Sequence, residues 1–462
     1  MPADRFDTVI AGGAVVSHRG VEVMDLGLRD GRIAALAGPG ALKDAAPAQG
    51  VIDARGLHVL PGVIDSHVHF REPGGEATED FGSGSLGALL GGVTAVFDMP
   101  NTAPAVLDRE SLAAKLALVG RHAWTDYALY VGADGGNSHL LADLETAPGV
   151  CGTKVFMGSS TSSLVISDPG DLEGIFAAGA RIVSLHAEDE ARILARQHIA
   201  EAAGDVRVHG EWRDVESAVA ATRLAIDTAR RLGRRIHILH VSTAEEIALI
   251  AANRDIVTCE VLPQHLILAA PDCYEAHGTL VQQNPPIREA RHRAALWAAV
   301  ADGIVDVIGS DHGPHRLADK AGPYPNRHSG MPGTQTLLPI LLDFVAQGRL
   351  SLLQVVDLVC AGPARVFGIA GKGRIAVGHD ADFTLVDLGA RRRIDNADIA
   401  SRVGWTVWHG REVAGWPMAT VIRGRLAMRD GEALGGPQGR PVRFHGALAP
   451  EATSGATSGA AA

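Results

Sequence analysis

The sequence predicts an α/β protein, a (β/α)8 TIM-like barrel carrying a small β-sandwich built from both chain ends. Three observations predict it. Eight short apolar runs alternate with helix-like stretches between residues 61 and 368. Short β-rich runs separated by Gly and Asp occur before residue 60 and return after 369. Polar residues of ligand type also stand at the same, carboxyl, end of several apolar runs. The rival, a doubly wound open sheet, has less support, because neither a GxGxxG turn nor a GxxxxGK[ST] loop is found.

Residues 1–60 form the first part of the expected sandwich, with runs at Thr8–Ile10, Ala14–Val16, Val21–Val23 and Arg32–Ala34. The barrel follows over 61–368. Its expected strands are Val63–Phe70, Thr94–Pro100, Tyr127–Val131, Thr153–Met157, Ile182–His186, Ile236–Val241, Ile256–Val261 and Val305–Ser310. Several are continuous apolar runs, as parallel strands covered on both faces require. Residues 214–232 repeat apolar positions at helical spacing, and Thr243-Ala-Glu-Glu246 reads as a capping box opening another helix. Residues 369–440 return to the sandwich through Gly373–Gly378, Asp382–Asp387 and Thr420–Arg425. From about Ala449 the chain reduces to Ala, Ser, Gly and Thr, so 441–462 are expected to be a disordered tail.

The 462-residue composition is globular, with 46% hydrophobic and 21% charged residues. A formal net charge of −11 argues against a general binder of nucleic acid or anionic membranes. The four cysteines form no CxxC pair and read as reduced thiols. The amino terminus shows no signal peptide, and no apolar run is long enough to span a bilayer, so a cytoplasmic protein is expected.

The chemistry starts at Asp65-Ser-His67-Val-His69, closing the first barrel strand. Side chains two apart in a strand share a face, so His67 and His69 can serve one divalent cation. Alone, such a pair is as often two ordinary polar residues. Lys154, His186, His240 and Asp311 at the ends of other strands tip the balance, because those ends converge on one face. Asp311 could touch a cation and carry a proton. Lys154 lies in an apolar run and is one of only five lysines among 42 basic residues. Burial would favour its free amine, which can react with CO2 to give an anionic carbamate able to bridge two cations. An ammonium that reaches solvent is the equal alternative. Arg71, Asn101 and His315 could clamp a substrate carboxylate, unless Arg71 simply pairs with Glu72. Residues 313–333, rich in Gly and Pro, could form a closing lid or a static connection.

These residues carry a resemblance. Pro61-Gly-Val-Ile-Asp-Ser-His-Val-His-Phe-Arg-Glu-Pro-Gly74 resembles the signature of the dihydroorotases, within the cyclic amidohydrolases of the amidohydrolase superfamily. Met99–Thr102, Lys154–Ser160, His240–Thr243, Asn284–Arg288, Ser310–His315 and Gly373–Asp382 support it. The resemblance implies two divalent metal ions, with zinc expected. His67 and His69 would hold one, His186 and His240 the other, carboxylated Lys154 would bridge them, and Asp311 would be both ligand and proton shuttle. It implies that Arg71, Asn101 and His315 hold the substrate carboxylate, and that Asn284, Ser329 and Gly330 contact the ring. Many bacterial dihydroorotases carry Asp where Lys154 stands, whereas hydantoinases and allantoinases carry Lys. Arg71, which those two groups lack, points to dihydroorotate instead. The implied reaction is the reversible hydrolysis of dihydroorotate to N-carbamoyl-L-aspartate in pyrimidine biosynthesis. An allantoinase or hydantoinase is the alternative, and a non-catalytic scaffold a weaker one. The expected partners are a small-molecule substrate, further copies of the chain (dimer or tetramer) and, as a candidate, aspartate transcarbamoylase.

Overall fold

Eight parallel strands form one sheet in sequence order: β1 (Val63–Val68), β2 (Val93–Asp98), β3 (Asp126–Gly132), β4 (Val150–Phe156), β5 (Val183–His186), β6 (Ile236–Ile238), β7 (Val257–Val261) and β8 (Val307–Ile308). The computed structural model describes residues 6–45, 47–160, 164–325 and 328–447. Every residue of β1 to β5 is buried, so both faces of these strands are covered and their near-continuous apolar content follows. Past β8 the chain closes the cylinder. Val68 bridges His312, the His69 amide donates to the His312 carbonyl (2.9 Å), and the His312 amide returns to His67 (3.3 Å).

Helices cover the outside. Val215–Leu232 has Asp214 capping the Ser217 amide at its start and left-handed Gly233 at its end. Thr243 and Glu246 form the anticipated capping box of Ala244–Ala251. Among the described residues no helix is long and apolar enough to cross a membrane.

The satellite is a nine-stranded, mostly antiparallel sheet. Thr8–Ser17, Gly20–Arg29, Arg32–Ala37, Val51–Asp53 and His58–Pro61 come from the front of the chain. Phe383–Arg393, Glu412–Ile422, Arg425–Arg429 and Glu432–Ala433 come from the back. The seam is antiparallel pairing of Leu60 with Thr384 and Val59 with Leu385. Ile10, Leu26, Leu28, Phe383, Leu385 and Val421 share its core.

Two expectations are corrected. Gly373–Gly378 is turn rather than strand, with Gly373 at φ 81° where a Cβ would lie 2.7 Å from the Cys360 carbonyl. Residues 441–447 are not tail. Pro441 bridges Tyr127, the Val442 amide donates to the Tyr127 carbonyl (2.8 Å), and Phe444 packs edge-on against Phe97. Val442 and Phe444 supply the apolar area that the later residues lack. The rest of the expected tail, 448–462, lies outside the described residues.

Candidate metal and substrate site

The carboxyl ends of the strands bring the candidate ligands together. His67 (β1), His69 just past it, Lys154 (β4), His186 (β5), His240 two residues past β6, and Asp311 past β8 all line one cavity. Asp311 Oδ1 lies 3.2 Å from His67 Nε2 and 3.3 Å from His69 Nε2. His186 Nδ1 faces His240 Nε2 at 3.0 Å. Among the described residues six non-glycine residues have positive φ, and Arg71 (60°), His240 (37°) and Asp311 (47°) are three of them. Backbone strain, on the order of 1–3 kcal/mol per residue, is thus concentrated where side chains are aimed into the cavity.

Three of the four imidazoles are oriented from behind, whereas His240 Nδ1 is buried with no partner among the described residues. His67 Nδ1 donates to Glu260 Oε1 (2.7 Å), His69 Nδ1 to Asn101 Oδ1 (2.9 Å) and His186 Nε2 to Glu188 Oε2 (2.9 Å). The other nitrogen of each ring therefore keeps its lone pair and faces the cavity. Glu188 is in turn gripped by Arg213, which with His186 holds its carboxyl well below the ordinary range against the opposing effect of burial. Burial lowers His67 to about 4 and keeps His69, His186 and His240 below their ordinary values, so the rings are neutral at neutral pH. Asp65 fixes the floor by accepting the Ser310 amide (3.1 Å).

Lys154 Nζ is buried, lies 4.5 Å from the Phe156 ring centre and has no hydrogen-bond partner among the described residues. Burial pulls its amine down to about 7, against the pull of Asp311 and Glu260. It does not reach solvent. Four neutral imidazoles, a carboxylate and an unpartnered amine are a donor set suited to borderline divalent cations, and His67, His69 and Asp311 already place their ligand atoms within 4.8 Å of one another.

The substrate side begins at Arg71. Glu72 does not pair with it, because Glu72 Oε2 accepts the Phe81 amide (2.8 Å). Among the described residues no carboxylate lies within ion-pair distance of Arg71, and its Nε is buried without a partner. Burial lowers the guanidinium to about 10. Its Nη2 lies 3.3 Å from His315 Nε2, whose N–H donates to the Ser329 carbonyl (3.1 Å). Asp98 braces this corner by accepting the Phe70 amide (2.8 Å) and pairing with buried Lys115 (2.6 Å).

Arg71, Asn284, Ser329 and Gly330 line the cavity beside the ligand residues. Asn101 and His315 stand one layer behind, against His69 and Arg71. Gly330 (φ 135°) approaches Gly313 so closely that a Cβ would lie 2.6 Å from the Gly313 carbonyl. The described residues at the two ends of the 313–333 segment are bonded into a wall. Gly313 N–H donates to Met331 (2.9 Å), and Trp405 Nε1 donates to His315 (2.8 Å).

Sequence reasoning missed Glu188, Glu260, Phe156, Ser160 and Gly313. Two left a signal. Glu188 follows His186 by two residues, and Glu260 is an acid inside an apolar barrel strand.

A closed barrel with ligand-type side chains at its carboxyl mouth defines a metal-dependent hydrolase class, and the comparisons agree. The model of the Amidohydrolase family matches residues 58–427, and the chain belongs to that family. It is similar to a dihydroorotase of Halobacterium salinarum, 38% identical over 83% of this chain and 89% of that protein. It is also similar to an allantoinase of Rubrobacter xylanophilus, 37% identical over 95% of this chain and 98% of that one. Among solved structures, an L-hydantoinase (dihydropyrimidinase) from Arthrobacter aurescens superposes with a TM-score of 0.88 at 31% identity, covering 95% of this chain and 99% of that one.

Proposed function

We propose that the protein is a dihydroorotase, opening the cyclic amide of dihydroorotate to N-carbamoyl-L-aspartate and closing it in reverse. One observation carries the choice of substrate. Arg71, a guanidinium with no carboxylate partner among the described residues, stands at the edge of the ligand cluster beside His315. A ring bearing a carboxylate would supply the missing anion, with two parallel charge-assisted hydrogen bonds available from Arg71.

The cluster suits two divalent ions, with His67, His69 and Asp311 for one and His186 and His240 for the other. Lys154 would bridge them as a carbamate, which would give its unpartnered Nζ a role. Such ions, zinc being the expected ones, would supply Lewis acidity at the ring carbonyl and would lower the pKa of water toward neutrality. Glu260, Asn101 and Glu188 hold the imidazoles in the ligating tautomer. Asp311 takes the proton of the attacking water and delivers it to the departing ring nitrogen. Arg71, backed by His315, fixes the ring so that its amide carbonyl faces Asp311, while Asn284 and Ser329–Gly330 wall the cavity beside it.

Lys154 and the Rubrobacter relative favour a second reading, allantoin as substrate. Assaying the purified protein on dihydroorotate, allantoin and hydantoin decides. Preferred turnover of dihydroorotate is expected, and a kcat/KM higher for either other ring overturns the assignment. The first reading also retains a cytoplasmic homo-oligomer and aspartate transcarbamoylase as a partner, to be checked by light scattering and by co-purification.

A further inference from the structure

Lys320 ends the four-residue helix Leu317–Lys320 and is fully buried. Among the described residues no carboxylate lies within ion-pair distance of it. Its ammonium donates to three main-chain carbonyls, those of Gln282 (2.8 Å), His328 (2.9 Å) and Gly330 (2.9 Å), so all its N–H bonds are used. Burying a cation against neutral dipoles alone is costly, and burial lowers this amine to about 7.

The three carbonyls belong to two loops that reach the cavity. One runs from Gln282 to Asn284, the other from His328 to Gly330, and Asn284, Ser329 and Gly330 line the wall. The loops also meet directly: Gly330 N–H donates to the Gln282 carbonyl (2.9 Å), and Gln282 Nε2 to Ser329 Oγ (3.1 Å). A compact ammonium can radiate three bonds to three carbonyls around it. A planar guanidinium fork cannot, which accounts for Lys in so Arg-rich a chain.

We propose that Lys320 is a positioning residue for ring recognition, a buried cationic rivet that holds Ser329–Gly330 against Gln282–Asn284 and so fixes the wall on which the cyclic amide is placed. It touches no substrate. The inference rests on the cavity being the substrate site, but not on which ring is opened.

The test uses K320A and K320M, assayed on whichever ring the unmodified protein hydrolyses. KM should rise about tenfold or more while kcat stays within about threefold. Bound metal per chain should not change. The Gly330 amide, whose acceptor is the riveted Gln282 carbonyl, should exchange its hydrogen faster in both variants. Added n-propylammonium, which replaces the missing side chain, should restore KM in K320A and not in K320M, where the methionine fills the space. A folded variant with wild-type KM, unaltered Gly330 exchange, or a KM rise accompanied by metal loss overturns the proposal. So does failure of both variants to fold, which would make Lys320 part of the scaffold. If the unmodified protein prefers allantoin, only the substrate assignment falls, because the exchange and rescue measurements do not depend on it.

Discussion

Arg71 Nη2 and His315 Nε2 stand 3.3 Å apart, and neither can accept a hydrogen bond from the other. The Nε2 proton of His315 is committed to the Ser329 carbonyl, and burial beside the guanidinium lowers the ring to about 2, so it stays neutral. The Arg71 Nε, buried with no acceptor among the described residues, marks where an anion belongs. This arrangement separates a ring carrying a carboxylate from one that lacks it.

Arg71→Ala should therefore lower kcat/KM for dihydroorotate roughly a hundredfold, chiefly through KM. Dihydrouracil, the same ring without the carboxylate, is the control and should be almost unaffected. Equal losses on both rings would remove the clamp from the account.

Asp311 faces both His67 and His69 from a left-handed backbone position. Asp311→Asn keeps the size and one oxygen but cannot carry a proton. A fall in kcat of about 10³-fold is expected, with metal largely retained by elemental analysis. Near-normal turnover would exclude the shuttle role.

Glu260 acts on metal through His67. Glu260→Leu removes the acceptor of the 2.7 Å bond and frees the ring to adopt the other tautomer. Calorimetric titration of metal into the stripped variant should show affinity weakened about 10–100-fold, with much of the activity recovered at saturating metal. Unchanged affinity would show that the Glu260 bond does not orient the ligand.

The stability of the metal-free protein should rise between pH 7 and 9. Burial lowers Lys154 and Lys320 to about 7 from 10.5, so in this window the unfolded chain binds more protons than the folded one. Below it, Glu260, raised to about 7, works against the lowered histidines. Above it, the four cysteine thiols, all raised by burial, reverse the trend. Thermal unfolding across the window tests this, and Lys154→Met should remove part of the slope. A flat or falling Tm in the unmodified protein would contradict it.

The barrel was legible because β1 to β5 bury both faces, and double burial writes itself as continuous apolar runs. The ligand cluster was legible because its members stand at the same end of five different runs, His67 and His69 sharing the first. Glu188 and Glu260 were harder to see, since an acid earns notice only when its partner is known, and Arg213 and His67 lie 25 and 193 residues away. The fate of Arg71 turned on Glu72 being taken by a helix start, a contact that local sequence does not encode. Residues 441–447 looked like tail because two large apolar residues in seven are a weak signal without the barrel residues they cover.

Four of the five lysines, Lys115, Lys154, Lys320 and Lys372, are buried, while Lys43 lies exposed in the satellite loop between Arg32–Ala37 and Val51–Asp53. Amine-reactive esters offered to the folded protein therefore find one accessible side chain. Attachment to a support or a dye through Lys43 would fasten the molecule by its satellite and leave the barrel mouth open to solution. Acylation spreading to the other four would report unfolding, giving a simple mass-spectrometric gauge of how intact a preparation is.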